Sequence, residues 1–389
     1  MTAIREFKGL NNVTDPVRLG LPWLTVADNV DITESGAVRR REGFALGMAC
    51  APTGIYSTRD EERCYFVEAG ALRELQPGMS AVTLATGLAR ETHWTEFNDQ
   101  TFFVSGDAAG IVRADGVVLP WRIDPPAEPA LSAITGGTLP AGRYRVACTV
   151  VLPDGRESAA SSAAEIELEA GHSLRVSGIE QRTGAVTRVY ISPANSTVFQ
   201  LASAAGAQLN WNSGPEALGQ ELQTDGLDAL PRGVGPIAEW SGSIYAAMYL
   251  PEQDQSVVWR SEALAPHLWN LSANFFMVPG RVHALAPHDT ALIVGTDRAI
   301  HAYTPEAFPV LADYGTVAGM PWALDGKRLL IWTKRGLCQF PEFTNLTERR
   351  VSVAPGTHAG AAVIEAGGQV RFVASLHAGG SPFNKRGIT

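Results

Sequence analysis

From about residue 52 onward the chain is written in short runs of apolar or strictly alternating residues, separated by Gly, Pro, Asn and Asp. Alternation with a period of two buries one face of an extended segment, so these runs predict half-buried β-strands. One unit recurs: an apolar strand, a short turn, then a second alternating strand. It is read over 64–75, over 101–113, over 243–260, and most clearly in two late copies, 291–303 and 328–340. Those two share an apolar strand, a Thr (Thr296, Thr333), a basic turn ending in a small residue, and an alternating strand. Residues 369–376 begin a last copy.

Two copies fall between about 45 and 124 and four between about 226 and 389. Together they occupy about 240 residues, or about 40 per copy, the size of a four-stranded propeller blade. The expected architecture is therefore all-β: a β-propeller of about six blades. Between the two groups, Asp124, Pro125, Pro126 and Pro129 mark a boundary. Beyond it lie five short alternating runs at sandwich-like spacing, with Pro153-Asp154-Gly155 as a hairpin turn. The expected division is an extended N-terminal arm at 1–44, propeller at 45–127, an inserted β-sandwich at 128–225 and propeller again at 226–389. The arm has no regular apolar period, yet it carries Phe7, Leu10, Leu21, Trp23, Leu24 and Val26. Left bare, these would be an aggregation hazard. They are expected to pack on a neighbouring subunit, an adaptor ring or the propeller's own flank.

Composition narrows the function. With 45% hydrophobic and 18% charged residues the chain has ample core material. Its net charge of −9 argues against gripping nucleic-acid phosphates, and suits a surface that DNA slides past. No stretch reads as a signal peptide, and no apolar run approaches a membrane span. Cys50, Cys64, Cys148 and Cys338 form no CxxC pattern, and Cys148 and Cys338 read as small buried hydrophobes. The eight histidines make no HxxxH or HExxH motif, so neither a metal nor another cofactor is expected. There is no nucleophile elbow or Walker A loop. The nearest approach to a sialidase-type repeat, Ser105 to Gly110, occurs once and has no Trp, so no catalytic residue is assigned. Seven of the nine tryptophans read as packing between blades, leaving Trp23 and Trp211 as candidates for contact. Arg39, Arg40 and Arg41 are the only basic run of three; it reads as a solvated turn, as a docking contact to carboxylates of an acidic partner, for which bidentate Arg is suited, or as a DNA contact.

The beginning of the chain carries the most specific motif: Phe7 to Pro16, then Ala27 to Asp31, then Gly36 to Phe44, with Leu10 where the common form has a second Gly. It resembles the opening of many phage virion proteins, and is similar to the nozzle or tail-tubular protein of short-tailed phages. Val258 to Glu262 with Pro266 to Asn270 looks like a phrase of such propellers, and the 128–225 segment resembles fibronectin type III-like modules. The resemblance implies a non-enzymatic structural protein of the virion tail, made in the host cytoplasm. It implies a homo-oligomeric ring, a hexamer, with a channel for genome DNA that passes without sequence-specific binding. A tail adaptor or portal-side ring and tail fibres are the implied neighbours, with Phe7, Leu10, Trp23, Arg39, Arg40 and Arg41 at the assembly interface. Two rival readings are a propeller that binds a host receptor or glycan, and a divergent glycosidase.

Overall fold

The computed structural model describes residues 6–377 except 34, 42, 44, 205, 367 and 368. Residues 1–5, Glu42 and Phe44 of the N-terminal motif, and 378–389 of the second propeller segment lie outside the described residues.

The chain is all-β. Five sheets follow the repeat read from the sequence, each an antiparallel meander. The first holds Thr53–Ser57, Cys64–Glu68, Ala71–Gln76 and Ser80–Thr86, and the second His93–Phe97, Gln100–Ser105, Ala108–Val112 and Val118–Pro120. After the insertion come the third over 237–279, with a fifth strand, the fourth over 282–312 and the fifth over 322–345. Turn chemistry makes these meanders tight. Ala69-Gly70, Asn98-Asp99 and Ser241-Gly242 are two-residue connections with positive φ at both positions, the geometry that matches strand twist. The threonines of the two late copies do equivalent work. Thr296 Oγ1 accepts the Arg298 and Ala299 amides at 3.1 and 2.9 Å, and Thr333 Oγ1 accepts the Arg335 amide at 3.1 Å. Both hydroxyls sit in fully buried residues and also donate to the carbonyl that closes the turn.

The cores lie between successive sheets. Tyr65, Val67 and Leu72 of the first meet Trp94 and Phe103 of the second. Phe102 and Trp121 of the second meet Ile244 and Trp269 of the third. Tyr245 and Val258 of the third meet Leu285 and Val294 of the fourth, and Ile293 and Ile300 of the fourth meet Ile331 and Cys338 of the fifth. The second, third, fourth and fifth sheets are thus packed on both faces by other sheets. This is why the strands nearest the centre read as near-continuous apolar runs.

The last sheet departs from the expected four-stranded unit. Among the described residues it pairs Ala318–Met320 in parallel with His358–Ala366, which pairs in turn with Gln369–His377. Ala359 and Leu376 pack on Trp332 of the fifth sheet, while Met320 reaches the core between the first and second.

The insertion is two sheets of three and four strands around one core that includes Val146, Cys148, Leu174, Val189 and Trp211. Trp211 is only 8% exposed, so the expectation of a contact role for it is corrected: it fills the sandwich core. The chain enters and leaves the insertion side by side. Arg122 donates from Nε to the Leu230 carbonyl at 2.7 Å and from Nη2 to the Pro231 carbonyl at 2.9 Å, and Arg232 pairs with Asp124 at 2.8 Å. Replacing 128–225 by a short Gly/Ser bridge is therefore expected to leave a folded β-protein. Circular dichroism and a cooperative melt would check this, and an unfolded product would refute the division.

The insertion also touches the third sheet through its hairpin turn. There burial, reinforced by the Arg156 guanidinium, holds His267 down at about 4. Its folded value lies below the ordinary 6.5, so the unfolded chain binds a proton that the folded one refuses. The stabilisation is whole above about pH 6.5, is lost as pH falls to about 4, and is level below that. The expected loss is on the order of 1–2 kcal/mol after solvent screening. Melting midpoints of wild type and His267→Gln across that window test it; parallel curves would remove His267 as the cause.

Candidate functional site

Two places in the described residues gather polar groups or bare apolar surface: the N-terminal arm and the hollow where the inner strands converge.

The arm is ordered by its own turn residues. Asn11 Oδ1 accepts the Val13 and Thr14 amides at 3.2 and 3.0 Å, and Asp15 Oδ1 accepts the Val17 amide at 2.9 Å at the head of a 3₁₀ turn begun by Pro16. Gly9–Leu10 then pairs in parallel with Trp23–Leu24, setting Gly9 opposite Trp23 and Leu10 opposite Leu24. Val30–Ile32 and Val38–Arg40 form a hairpin. The Phe7 amide donates to the Gly36 carbonyl at 2.8 Å. A Cβ on Gly36, whose φ is +76°, would fall 2.6 Å from Glu6 Cβ, so the close approach of the two strips requires glycine.

The arm docks on the end of its own chain. Asn12 donates from its amide to the Arg350 carbonyl at 3.0 Å and from Nδ2 to the Ser352 carbonyl at 2.9 Å, and its Oδ1 accepts the Ser352 amide at 2.7 Å. The Arg350 guanidinium lies 5.3 Å from the Trp23 ring centroid, and Arg371 Nη1 lies 3.3 Å from Asp31 Oδ2. Asp31 also pairs with Arg41 at 3.3 Å.

Of the expected interface residues, Phe7, Leu10 and Trp23 are half-buried within the arm, Arg41 is paired, and Arg39 and Arg40 stand exposed. The docking set of Asn12, Asp31, Arg350, Ser352 and Arg371 was missed. The Asn-Asn-x-x-Asp-Pro string announces a capped turn, but nothing local announces its partner 340 residues away. Beside the dock, Val17, Leu21 and Val26 are 92, 63 and 67% exposed.

The hollow lies at the convergence of the inner strands. A small cavity there, lined by Trp94, Ile237, Leu285, Met320 and Trp322 among others, holds about 10 Å³, room for about one water. Above it opens a polar mouth of about 500 Å³ lined by Glu91, His93, His283, Thr357 and His358 together with glycines and Arg281. His93 lies 3.5 Å from Glu91; burial holds its ring below the usual imidazole range, with Glu91 working against that. His283 Nδ1 lies 3.1 Å from the Thr316 carbonyl. The three imidazoles share a cavity without sharing a ligand point: among the described residues no group of His, Cys, Asp and Glu is placed to hold a metal ion. The mouth can offer hydrogen bonds to a small polar molecule. His288, at the far end of the strand that carries His283, is engaged by Thr290 and the Lys327 carbonyl. Among the described residues no helix is long and apolar enough to cross a membrane.

No family model and no curated protein matches the chain. Among solved structures it is similar to the extracellular domain of BT4673 from B. thetaiotaomicron, at 12% identity and a TM-score of 0.33, covering 82% of this chain and 37% of that one. The chain thus spans well under half the length of that neighbour. It is similar also to a functionally unknown protein from Desulfotomaculum acetoxidans, at 10% identity and a TM-score of 0.34 over 86% of this chain and 91% of that one. Apo AztD from Citrobacter koseri has 11% identity and a TM-score of 0.31 over 87% and 91%. Likenesses at this level carry no argument about function.

Proposed function

We propose that this chain is a non-enzymatic structural component of a phage tail, a nozzle or tail-tube subunit that assembles into a homo-oligomeric ring around the path of the genome. In this reading the six sheets form one propeller, the last hairpin closes it against the first sheet, and the insertion is a fibronectin type III-like module. The observation that carries the reading is the arm. It is an ordered element whose opening motif resembles that of virion proteins, and it presents Val17, Leu21, Val26, Arg39 and Arg40 outward. In this reading the genome passes through the ring, past walls whose acidic average charge does not trap the phosphates. An adaptor or portal-side ring and tail fibres are the neighbours this reading calls for.

Negative-stain microscopy and sedimentation of the purified protein test it: rings, or density attached to tails, are expected. The polar mouth of about 500 Å³ favours a second reading, a propeller that binds a host glycan or receptor. A strictly monomeric protein with measurable sugar affinity would favour that reading over the first.

A further inference from the structure

We propose that the arm is exchanged between copies: residues 6–41 of one subunit occupy the Arg350–Ser352 and Arg371 dock of the next, remaking in trans the contacts seen within one chain. The inference rests on the ring reading above and specifies its joint.

Three features of the arm point this way. First, among the described residues the hydrogen bonds, ion pairs and ring contacts that leave residues 6–41 all go to Arg350, Ser352 and Arg371. The described part of the arm is thus a self-folded clip that docks on this one small set of residues. The dock is complete in itself, because Asn12 occupies the Arg350 carbonyl and both backbone groups of Ser352, and any copy of the chain offers the same groups.

Second, among the described residues contact with the body resumes near Gly47, which lies against Met79, and Ala51, whose amide donates to Glu68 at 3.3 Å. The chain between Arg41 and Gly47 can span at most about 20 Å. Exchange of an identical element between copies is a low-cost route to assembly.

Third, docking in cis leaves the arm's Val17, Leu21 and Val26 bare and gives Arg39 and Arg40 no carboxylate partner among the described ion pairs. A neighbouring copy supplies what is missing: further apolar contact, and a body acidic enough to bring the whole chain to −9 while residues 1–50 balance their six basic against six acidic residues. Exchange from arm to dock is head-to-tail, so it closes into a ring when the rotation between copies allows.

The test is a photo-crosslink from the arm. Trp23 is replaced by p-benzoylphenylalanine, which keeps an aromatic ring over Arg350. Rings are assembled from an equal mixture of heavy-nitrogen and ordinary copies of the full chain. Crosslinked peptides joining residue 23 to 350–352 in the ring fraction are then read by mass. Exchange predicts that about half of them join a heavy to a light copy. If crosslinks in the ring fraction stay within one label, or none reach 350–352, the exchange is overturned and the ring reading stands. If no ring fraction forms at all, with wild type as with the variant, both fall.

Discussion

If the chain assembles as proposed, removal of residues 1–30 is expected to leave a folded monomer. The deletion takes away Asn12 and Trp23, hence the three hydrogen bonds to Arg350 and Ser352 and the ring contact with Arg350. These are surface contacts, each worth about 0.5–1.5 kcal/mol at best, so the melting of the body changes little. Among the described residues, no core between successive sheets contains a residue of the arm. Assembly, by contrast, loses its apolar strip outright, and the sedimentation coefficient should fall to that of one chain. Reversing Arg39 and Arg40 to Glu should give a milder version, and raising the salt should weaken wild-type assembly by screening whatever exposed pairs these arginines make. A truncated protein that sediments and joins particles like wild type would strip the arm of its role.

The largest effect on stability is expected from Trp121→Ala, at about 3–5 kcal/mol. Trp121 is fully buried between the second and third sheets. Its ring meets Phe102 edge-on at 5.1 Å and lies 6.3 Å from Trp269, and its Nε1 donates to the Pro266 carbonyl at 2.8 Å. Alanine removes the contacts, opens a cavity and leaves that carbonyl without its donor, while Trp121→Phe should cost less because most of the volume remains. Urea titration followed by the remaining tryptophans would measure both. A cost under about 1 kcal/mol for the alanine variant would mean that the second and third sheets do not pack across the insertion as described.

The repeat was readable because its causes are local. Alternation assigns a residue to one face or the other, and Thr296 and Thr333 stood out as a shared position of the two late copies, where the fold uses them to cap a turn two or three residues ahead. The buried Cys148 and Cys338 followed from their apolar runs in the same way. The Pro-rich stretch and the strand spacing that follows it were legible as pattern, whereas Arg122 reaching across more than a hundred residues to Leu230 and Pro231 was not.

Tertiary structure alone decided the rest. Trp211 stands outside every repeat, and only the closing of two sheets over it made it core. Gln369–His377 reads like the start of another four-stranded unit, yet its sheet is built with a short parallel strand from 318–320. Histidines 93, 283 and 358 carry no shared spacing, and they meet in one mouth because inner strands of different sheets converge on one centre. The arm is the clearest instance. Its turns were written in Asn11, Asp15 and Pro16, but its dock depends on where the chain's two ends meet after every sheet between them has stacked. Periodicity and turn chemistry act over a few residues and survive in the sequence as pattern, whereas a contact between Asn12 and Ser352 is set by the summed geometry of all the sheets in between and leaves no local trace.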